Sequence, residues 1–578
     1  MTGLNKKWQI ATPAPKKFFT NFPEYHWIIS QLFYNRGLKT EEMMENFLQP
    51  EFLENLADPF LMPGMKKGIK RIVAAIKKQE KILIYGDYDC DGITATTILY
   101  ETLKYLGTKN LDFYLPDRDK EGYGIGPKAL EKIINRRPNL VITVDCGVAN
   151  YEPILELKKN NIPVIVSDHH TIQKDLPPAL AIIHPRFKNS HYPFSDLSGA
   201  GIAFKVAQAL LLGQNYPSSK SKNTRLTFLK WLLDLAAIGT VADCVDLLGE
   251  NRVIVKYGLI VLNKTKRAGL KALSKSARLE KGRLNSHNIA FQIAPRLNAA
   301  GRMDHANSAF FLINEDSEQK ANELAEKLEK QNSNRQQIVE KIVTQALEKF
   351  SRQPNDLLFI AKDKTWPIGV AGLAASRVLE KTSRPVLICE DTEGLIKCSA
   401  RSIEKFNIIK AITQCSSLLA GFGGHSQAAG LSLAKINWLK FVKKIQYLVK
   451  KKLTKKDLVV NLKLEAKIKA SDINWELVEQ LEKFAPFGEA NSTPRFCITG
   501  LKIKNLKTVG NSNKHLKLNL FDPVSEEDFD AIGFGLGGAK IKVGDKVKIA
   551  GELEFNEWNA RKKIQIKIID IMAIKTNK

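Results

Sequence analysis

The chain has 578 residues, 44% of them hydrophobic, and a formal net charge of +27, which excludes a disordered chain and allows roughly three to four domains with large cores. The basic balance favours a polyanionic partner over a small neutral substrate, without separating nucleic acid from an acidic membrane surface. Neither a run of about eighteen apolar residues nor a signal-peptide core is present, so a cytoplasmic protein that does not enter a membrane is expected.

Residues 1–65 read as an approach segment. Tyr34-Asn35-Arg36-Gly37 ends one helix on a glycine cap, and TEEMMENFL forms a second. Ile69, Ile72, Val73 and Ile76 then mark an amphipathic helix leading into Ile82–Tyr85, a short apolar run predicted as a buried strand. It runs into Asp87, Asp89 and Asp91, followed by Gly92. Carboxylates that close repel one another unless cations are present, although a single Asp-x-Asp-x-Asp fits an acidic turn equally well.

Four more apolar runs follow at α/β spacing: Leu111–Leu115, Leu140–Val144, Val164–Val166 and Leu180–Ile183. Helical patterns at Thr96–Leu106 and Pro127–Ile134 lie between them, so the region reads as βαβ units on a parallel sheet. Two of these runs also end in ionisable residues, at Asp145-Cys146-Gly147 and Ser167-Asp168-His169-His170. Ser198-Gly199-Ala200-Gly201 opens a helix, and an apolar helix, Trp231–Ile238, runs into Thr240-Val241-Ala242-Asp243. Asp243 fits a plain loop residue or a further ligand.

The stretch 291–304 is rich in small residues around Arg296, Asn298 and Arg302, and 316–350, nearly free of Gly and Pro, predicts a long helix linking two lobes. A second α/β unit begins near Leu357, with Trp366, a helix entry at Gly369 and Gly372, and a strand at Pro385–Cys389. A basic turn, Ser399–Ser402, and a Gly-rich turn, Gly421–His425, follow. The latter either cradles phosphate or is simply structural. Residues 439–469 carry eleven lysines and two acids, either a solvated helix face or a surface for a polyanion. Short alternating strands at Leu458–Leu464, Arg495–Ile503, His515–Phe521, Lys546–Glu554 and Lys562–Ile569, punctuated by Gly510, Gly544 and Asn559, predict a small barrel of the oligonucleotide-binding kind.

Asp87, Asp89, Asp91, Asp145, His169 and Asp243 together offer five carboxylates and one imidazole, a set suited to two divalent ions, Mn²⁺ or Mg²⁺, with Mn²⁺ more tolerant of the histidine. His170, beside them, is positioned to move a proton or touch a phosphate. Cys90, Cys146 and Cys244 adjoin the aspartates, but hard oxygen ligands suit the ions better, and small buried residues are common at strand ends. The seven scattered cysteines predict neither a disulfide framework nor a structural zinc site.

The motifs GDYDCDG (Gly86–Gly92), Asp145-Cys146-Gly147, Asp168-His169-His170 and VADCVDL (Val241–Leu247), in that order, resemble the DHH phosphoesterase superfamily. Within it the chain resembles the RecJ family of single-strand-specific 5′→3′ exodeoxyribonucleases. Asn35–Gly37, Gly122–Gly124, Pro295–Met303, Trp366–Arg377, Gly421–His425, Pro486–Gly488 and the barrel all follow in family order. The resemblance implies an α/β fold with two α/β lobes, a DHH domain and a DHH-associated domain, joined by a long helix and followed by a C-terminal OB-fold barrel.

The implied boundaries are 1–65, 66–305, 306–352, 353–453 and 454–578. The implied catalytic residues are Asp89, Asp91, Asp145, His169 and His170, and the implied metal ligands are the six residues named above. The implied contacts to DNA and phosphate are Arg118, Arg296, Asn298, Arg302, Ser399, Arg401, Gly424 and His425. The implied activity is metal-dependent release of 5′-mononucleotides from single-stranded DNA in repair and recombination, by a monomer working beside a helicase and a single-strand-binding protein. Pro367, His184 and Ser492 depart from the family pattern, where histidine, asparagine and proline are expected. A hydrolase of short oligonucleotides or cyclic dinucleotides would need no barrel, and an inactive single-strand-binding protein would not need the ligands to be intact.

Overall fold

The computed structural model describes residues 6–118, 120–188, 190–213, 220–351, 356–558 and 561–574, so Asn559 lies outside the described residues. The chain divides into two compact units. One is built mainly on Lys330–Leu462, the other on Ile10–Glu329 with Lys463–Lys578. The predicted long helix is Glu318–Ser351, 34 residues.

In the larger unit the apolar runs form a five-stranded parallel sheet in the order Leu111–Tyr114, Ile82–Tyr85, Leu140–Val144, Val164–Ser167, Ala181–Ile183. Ile82–Tyr85 and Leu140–Val144 are buried at every position because core packs on both faces of the sheet, and a strand covered twice has no polar side to show. Between these two strands the sheet order reverses. The loops leaving their carboxyl ends therefore part, opening the crevice where such sheets bind ligands.

Helix Cys90–Tyr105, longer than predicted, packs against Gly199–Leu212 and Leu233–Ala242. It tolerates near-complete burial because Thr94, Thr96, Thr97 and Thr102 each donate a hydroxyl proton to the carbonyl four residues back, at 2.7–2.9 Å. The apolar helix expected at Trp231–Ile238 is instead two, Lys222–Trp231 and Leu233–Ala242.

The C-terminal strands Phe496–Val509, His515–Asp522, Glu527–Gly533, Arg561–Ala573 and Lys546–Trp558 close into a barrel through pairing of the first with the last. Two corrections apply. Glu527–Gly533 was not predicted, and Val460–Leu464, expected in the barrel, pairs instead with Lys6–Ile10. Helices Trp27–Asn35 and Glu41–Leu48 lend Ile28, Leu32, Phe33, Met44 and Phe47 to the barrel's core, so part of the approach segment completes that core.

Arg252 joins these pieces. Its buried guanidinium donates to the carbonyls of Phe47 (2.6 Å), Phe484 (2.9 Å), Ala485 (2.9 Å) and Lys483 (3.2 Å), the last three just past the end of helix Trp475–Glu482. A cation there meets the negative end of the helix dipole. Burial still lowers its pKa to about 9.

The smaller unit carries a mixed sheet in the order Gly421–Gly424, Ala428–Ala434, Leu395–Arg401, Val386–Asp391, Phe359–Asp363. Ser399–Arg401 and Gly421–Gly424, both predicted as turns, are strand. Cys389 and Cys398 face each other across neighbouring strands and are joined by a disulfide, contrary to the expectation that none forms. A pairing set by register is invisible to cysteine spacing. No described helix is long and apolar enough to cross a membrane.

Candidate metal centre

Each acidic motif sits where a buried strand ends. Asp87 follows Ile82–Tyr85, and Asp89 caps helix Cys90–Tyr105, accepting the Gly92 N–H at 3.0 Å. Asp91 lies in the first turn of that helix. Its two oxygens accept N–H groups of Gly199 (2.6 Å) and Ala200 (2.9 Å) at the start of the next helix, which fixes the carboxylate without a side-chain partner. Asp145 ends Leu140–Val144 in a left-handed conformation, φ +60°. His169 follows Val164–Ser167, with Nε2 3.1 Å from Asp145 Oδ1 and 3.5 Å from Asp243 Oδ2, and Asp243 caps the end of Leu233–Ala242.

All six predicted ligands thus come together. Asp87 with Asp89 and Asp145, and Asp91 with His169 and Asp243, form groups whose ligand atoms lie within 4.8 Å of one another, and Asp145, His169 and His170 form a third. Glycines keep this packing tight. A Cβ on Gly199 would stand 2.5 Å from Asp145, and one on Gly239 would stand 2.5 Å from Asp91 Oδ1.

The electrostatics fit bound cations. Burial, then the Asp89 charge, raises Asp87 well above the usual carboxylate range. Burial raises Asp145 likewise, with Asp91 and Asp89 adding to it. Burial and Asp89 push Asp91 up to about 7, and burial with Asp91 and Asp89 pushes Asp243 up to about 9. Burial, then the neighbouring His170, holds His169 down to about 3, so its ring is a neutral donor. Asp87 Oδ1, Asp145 Oδ1 and His169 Nε2 are buried without a hydrogen-bond partner. Hard divalent ions satisfy a donor set of this kind, and the imidazole favours Mn²⁺ over Mg²⁺.

Asp168 has a role that the sequence reading left unassigned. It is fully buried, and Oδ1 accepts the His169 N–H (2.8 Å), the His170 N–H (3.1 Å) and the His170 ring at Nδ1 (2.8 Å), while Oδ2 accepts the Val148 N–H (2.8 Å). Burial alone would raise this carboxyl, but its bonds from His170 and Val148 outweigh that and keep it below the ordinary range. Burial likewise opposes the charged His170 ring, and Asp168 outweighs it, raising His170. His184, one of the departures, donates from Nε2 to the His170 carbonyl (2.8 Å) and accepts the Arg186 N–H at Nδ1 (3.0 Å). It therefore braces the histidine loop.

A cavity of about 260 Å³ opens beside the cluster, lined by Asp87, Asp89, Arg118, His170, Asn298 and Arg302. Tyr123 also lines it, 5.3 Å from the His170 ring, and the sequence reading did not single it out. Asn298 accepts the Cys90 N–H at 2.8 Å, bracing the aspartate loop. It belongs to helix Ala294–Met303, which follows a π-helical turn at Ile289–Ile293 and lies so close that a Cβ on Gly301 would stand 2.7 Å from the Tyr88 carbonyl. Arg296 is not among the lining residues. It pairs with Glu329 and donates to the Gln292 carbonyl (2.8 Å).

In the smaller unit, Arg401 donates to Ser376 Oγ (3.2 Å), Ser399 Oγ (3.4 Å) and the Ala400 carbonyl (2.8 Å) beside the first turns of helix Ile368–Thr382, where Gly372 leaves room. Gly424, φ +141°, precedes exposed His425, whose N–H donates to the Ala428 carbonyl at 2.7 Å.

Comparison with known proteins agrees with this geometry. Residues 81–240 match the DHH family N-terminal domain, 355–451 the DHHA1 domain and 464–570 the RecJ OB domain. A metal-type cluster at the switch point of a parallel sheet carrying the DHH signature defines a phosphoesterase of the DHH class. The Bacillus subtilis single-stranded-DNA-specific exonuclease RecJ is 36% identical over 577 residues, covering 99% of this chain and 71% of that one. Its Haemophilus influenzae counterpart is 30% identical over 560 residues, covering 94% of this chain and 95% of that one. This chain belongs to the RecJ family. The crystal structure of Thermus thermophilus RecJ with Mn²⁺ superposes with a TM-score of 0.83 at 26% identity, covering 99% of this chain and 80% of that one, and the same protein has been solved with Mg²⁺.

Proposed function

We propose that this chain hydrolyses single-stranded DNA from the 5′ end and releases 5′-mononucleotides, using two divalent ions, Mn²⁺ or Mg²⁺. The observation that carries the reading is the set of buried, unpartnered ligand atoms on Asp87, Asp145 and His169 beside a cavity that also presents Arg118 and Arg302. Asp87, Asp89, Asp91, Asp145, His169 and Asp243 hold the ions. When bound, such a pair acidifies a water and stabilises the departing oxygen.

The remaining residues bind and orient. Arg118 and Arg302 oppose the carboxylates across the cavity and neutralise phosphate oxygens, and Asn298 fixes the loop that carries the aspartates. His170, protonated under the influence of Asp168, offers a proton at Nε2 to phosphate or leaving group. Arg401 with Ser399, and Gly424 with His425, are further phosphate contacts in the same reading, while Arg296 acts through its pairing with Glu329. The protein works as a monomer in the cytoplasm, beside a helicase that supplies single strands and a single-strand-binding protein that coats them.

The test is hydrolysis of single-stranded and duplex DNA labelled at either end, by wild type and Asp145→Asn, with Mn²⁺, Mg²⁺ or chelator. Labelled mononucleotide from the 5′ end of single strands only, lost with chelator and with the substitution, is the expected result. Single-strand binding without metal-dependent cleavage would overturn the reading.

A further inference from the structure

One basic segment has no part in the centre described above. Helix Trp438–Lys452 has the sequence WLKFVKKIQYLVKKK, with six lysines between residues 440 and 452 and no acid. Phe441, Ile445 and Val449 are buried against the sheet of the smaller unit, so the helix's apolar stripe is already used. At ~100° per residue, Lys440, Lys443, Lys444, Tyr447, Lys450 and Lys451 fall within one exposed arc opposite that stripe. Among the described residues, Lys440, Lys443, Lys444 and Lys450 make no ion pair.

We propose that this face is a separate docking site for single-stranded nucleic acid. Lys443 and Lys444 precede Tyr447 by about one turn and Lys450 and Lys451 follow it by one, so cationic pairs flank the aromatic ring at roughly 5–6 Å along the axis on each side. Tyr447 is 56% exposed, with the Lys451 ammonium 4.7 Å from its ring centroid. Lysines that track a backbone around a ring on which a base can stack are the features of a sequence-tolerant single-strand platform. A membrane face would need a broad exposed apolar stripe, and this arc is almost entirely cationic. A duplex keeps its bases stacked and would leave Tyr447 unused.

The inference rests on the reading that single-stranded DNA is the substrate, and its test separates the two. Binding of the full-length protein to a labelled oligo-dT strand is measured in chelator across a salt series, for wild type and for a variant with Lys440, Lys443, Lys444, Lys450 and Lys451 all replaced by Gln. Circular dichroism checks that the variant is folded. The slope of log affinity against log salt is expected to shrink by about 3, at ~0.7 per phosphate released from a single strand. Tyr447→Ala is expected to weaken binding roughly fivefold or more with the slope kept.

An unchanged slope in the folded variant, or an equal loss of slope on duplex, would overturn the proposal. So would lysine-dependent sedimentation with phosphatidylserine vesicles in place of any effect on DNA. Hydrolysis with an unchanged slope sinks only this site, whereas a changed slope in a protein that never hydrolyses sinks only the proposed activity.

Discussion

Asp145 carries two costs at once. It adopts a left-handed backbone at φ +60°, and it is buried among Asp91, Asp89, Asp243 and Asp87. Asparagine tolerates that backbone and removes the charge. Asp145→Asn is therefore expected to abolish Mn²⁺ binding by calorimetry yet raise the thermal midpoint in chelator by a few degrees, the mark of a residue retained for function at the expense of stability.

Glu121 shows the opposite balance. Its side chain is only 2% exposed and accepts the Tyr114 hydroxyl (2.7 Å), the Lys132 ammonium (2.7 Å) and the Asp117 N–H (2.8 Å), anchoring the segment that bears Arg118 and Tyr123. Burial alone would raise this carboxyl, but those partners outweigh it and lower it. A carboxyl lowered on folding stabilises above its unfolded pKa, and the benefit fades as pH falls through the folded value. Glu121→Gln should cost about 1–3 kcal/mol at pH 7 by denaturant unfolding, and the gap from wild type should narrow below about pH 4.

Among the elements, helix Gly199–Leu212 shows geometry overruling propensity. Replacing a helical glycine with alanine ordinarily gains up to ~1 kcal/mol. At Gly199 the new methyl would stand 2.5 Å from Asp145, so Gly199→Ala should instead cost about 1–3 kcal/mol and weaken Mn²⁺ binding in calorimetry.

The sheet of this unit was legible in the sequence because strands covered on both faces are unbroken apolar runs, and each functional run ends in its acidic motif. The barrel was legible only in part. Glu527–Gly533 hides its period behind Glu527, Asp528 and Asp530, although Phe529 and Ala531 are buried. Gly421–Gly424 and Ser399–Arg401 have turn-like compositions, and only pairing with Ala428–Ala434 makes them strand. Asp168 was visible in its motif, but its hold on His170 depends on a loop folding back on itself, which spacing does not encode. Arg296 was drawn toward the DNA path by resemblance, and a partner 33 residues away claims it.

For the molecule as a whole, the centre stands on backbone hydrogen bonds that form without ions, at Asp89 from Gly92 and at Asp91 from Gly199 and Ala200. Chelation should therefore abolish hydrolysis while lowering the thermal midpoint only modestly. Saturating ion at a hundred times its dissociation constant adds about 2.7 kcal/mol. Arg252→Gln should do more damage, because four carbonyls share that one guanidinium. A loss of about 3 kcal/mol or more in denaturant unfolding is expected, with the barrel's tryptophan fluorescence changing in the same transition.

Phe33 stacks on Phe484 with ring centroids 5.2 Å apart, and the helices that carry Ile28, Phe33 and Phe47 share a core with strands reaching Ile568. On the ribosome those helices emerge first and their partners last. At ~5–20 residues per second, the early helices wait roughly half a minute or more for the surface that buries them. Until then their apolar faces are open to chaperones and to neighbouring nascent chains. The order of synthesis thus makes the amino-terminal helices the last part of this unit to find their place, although they are the first to be made.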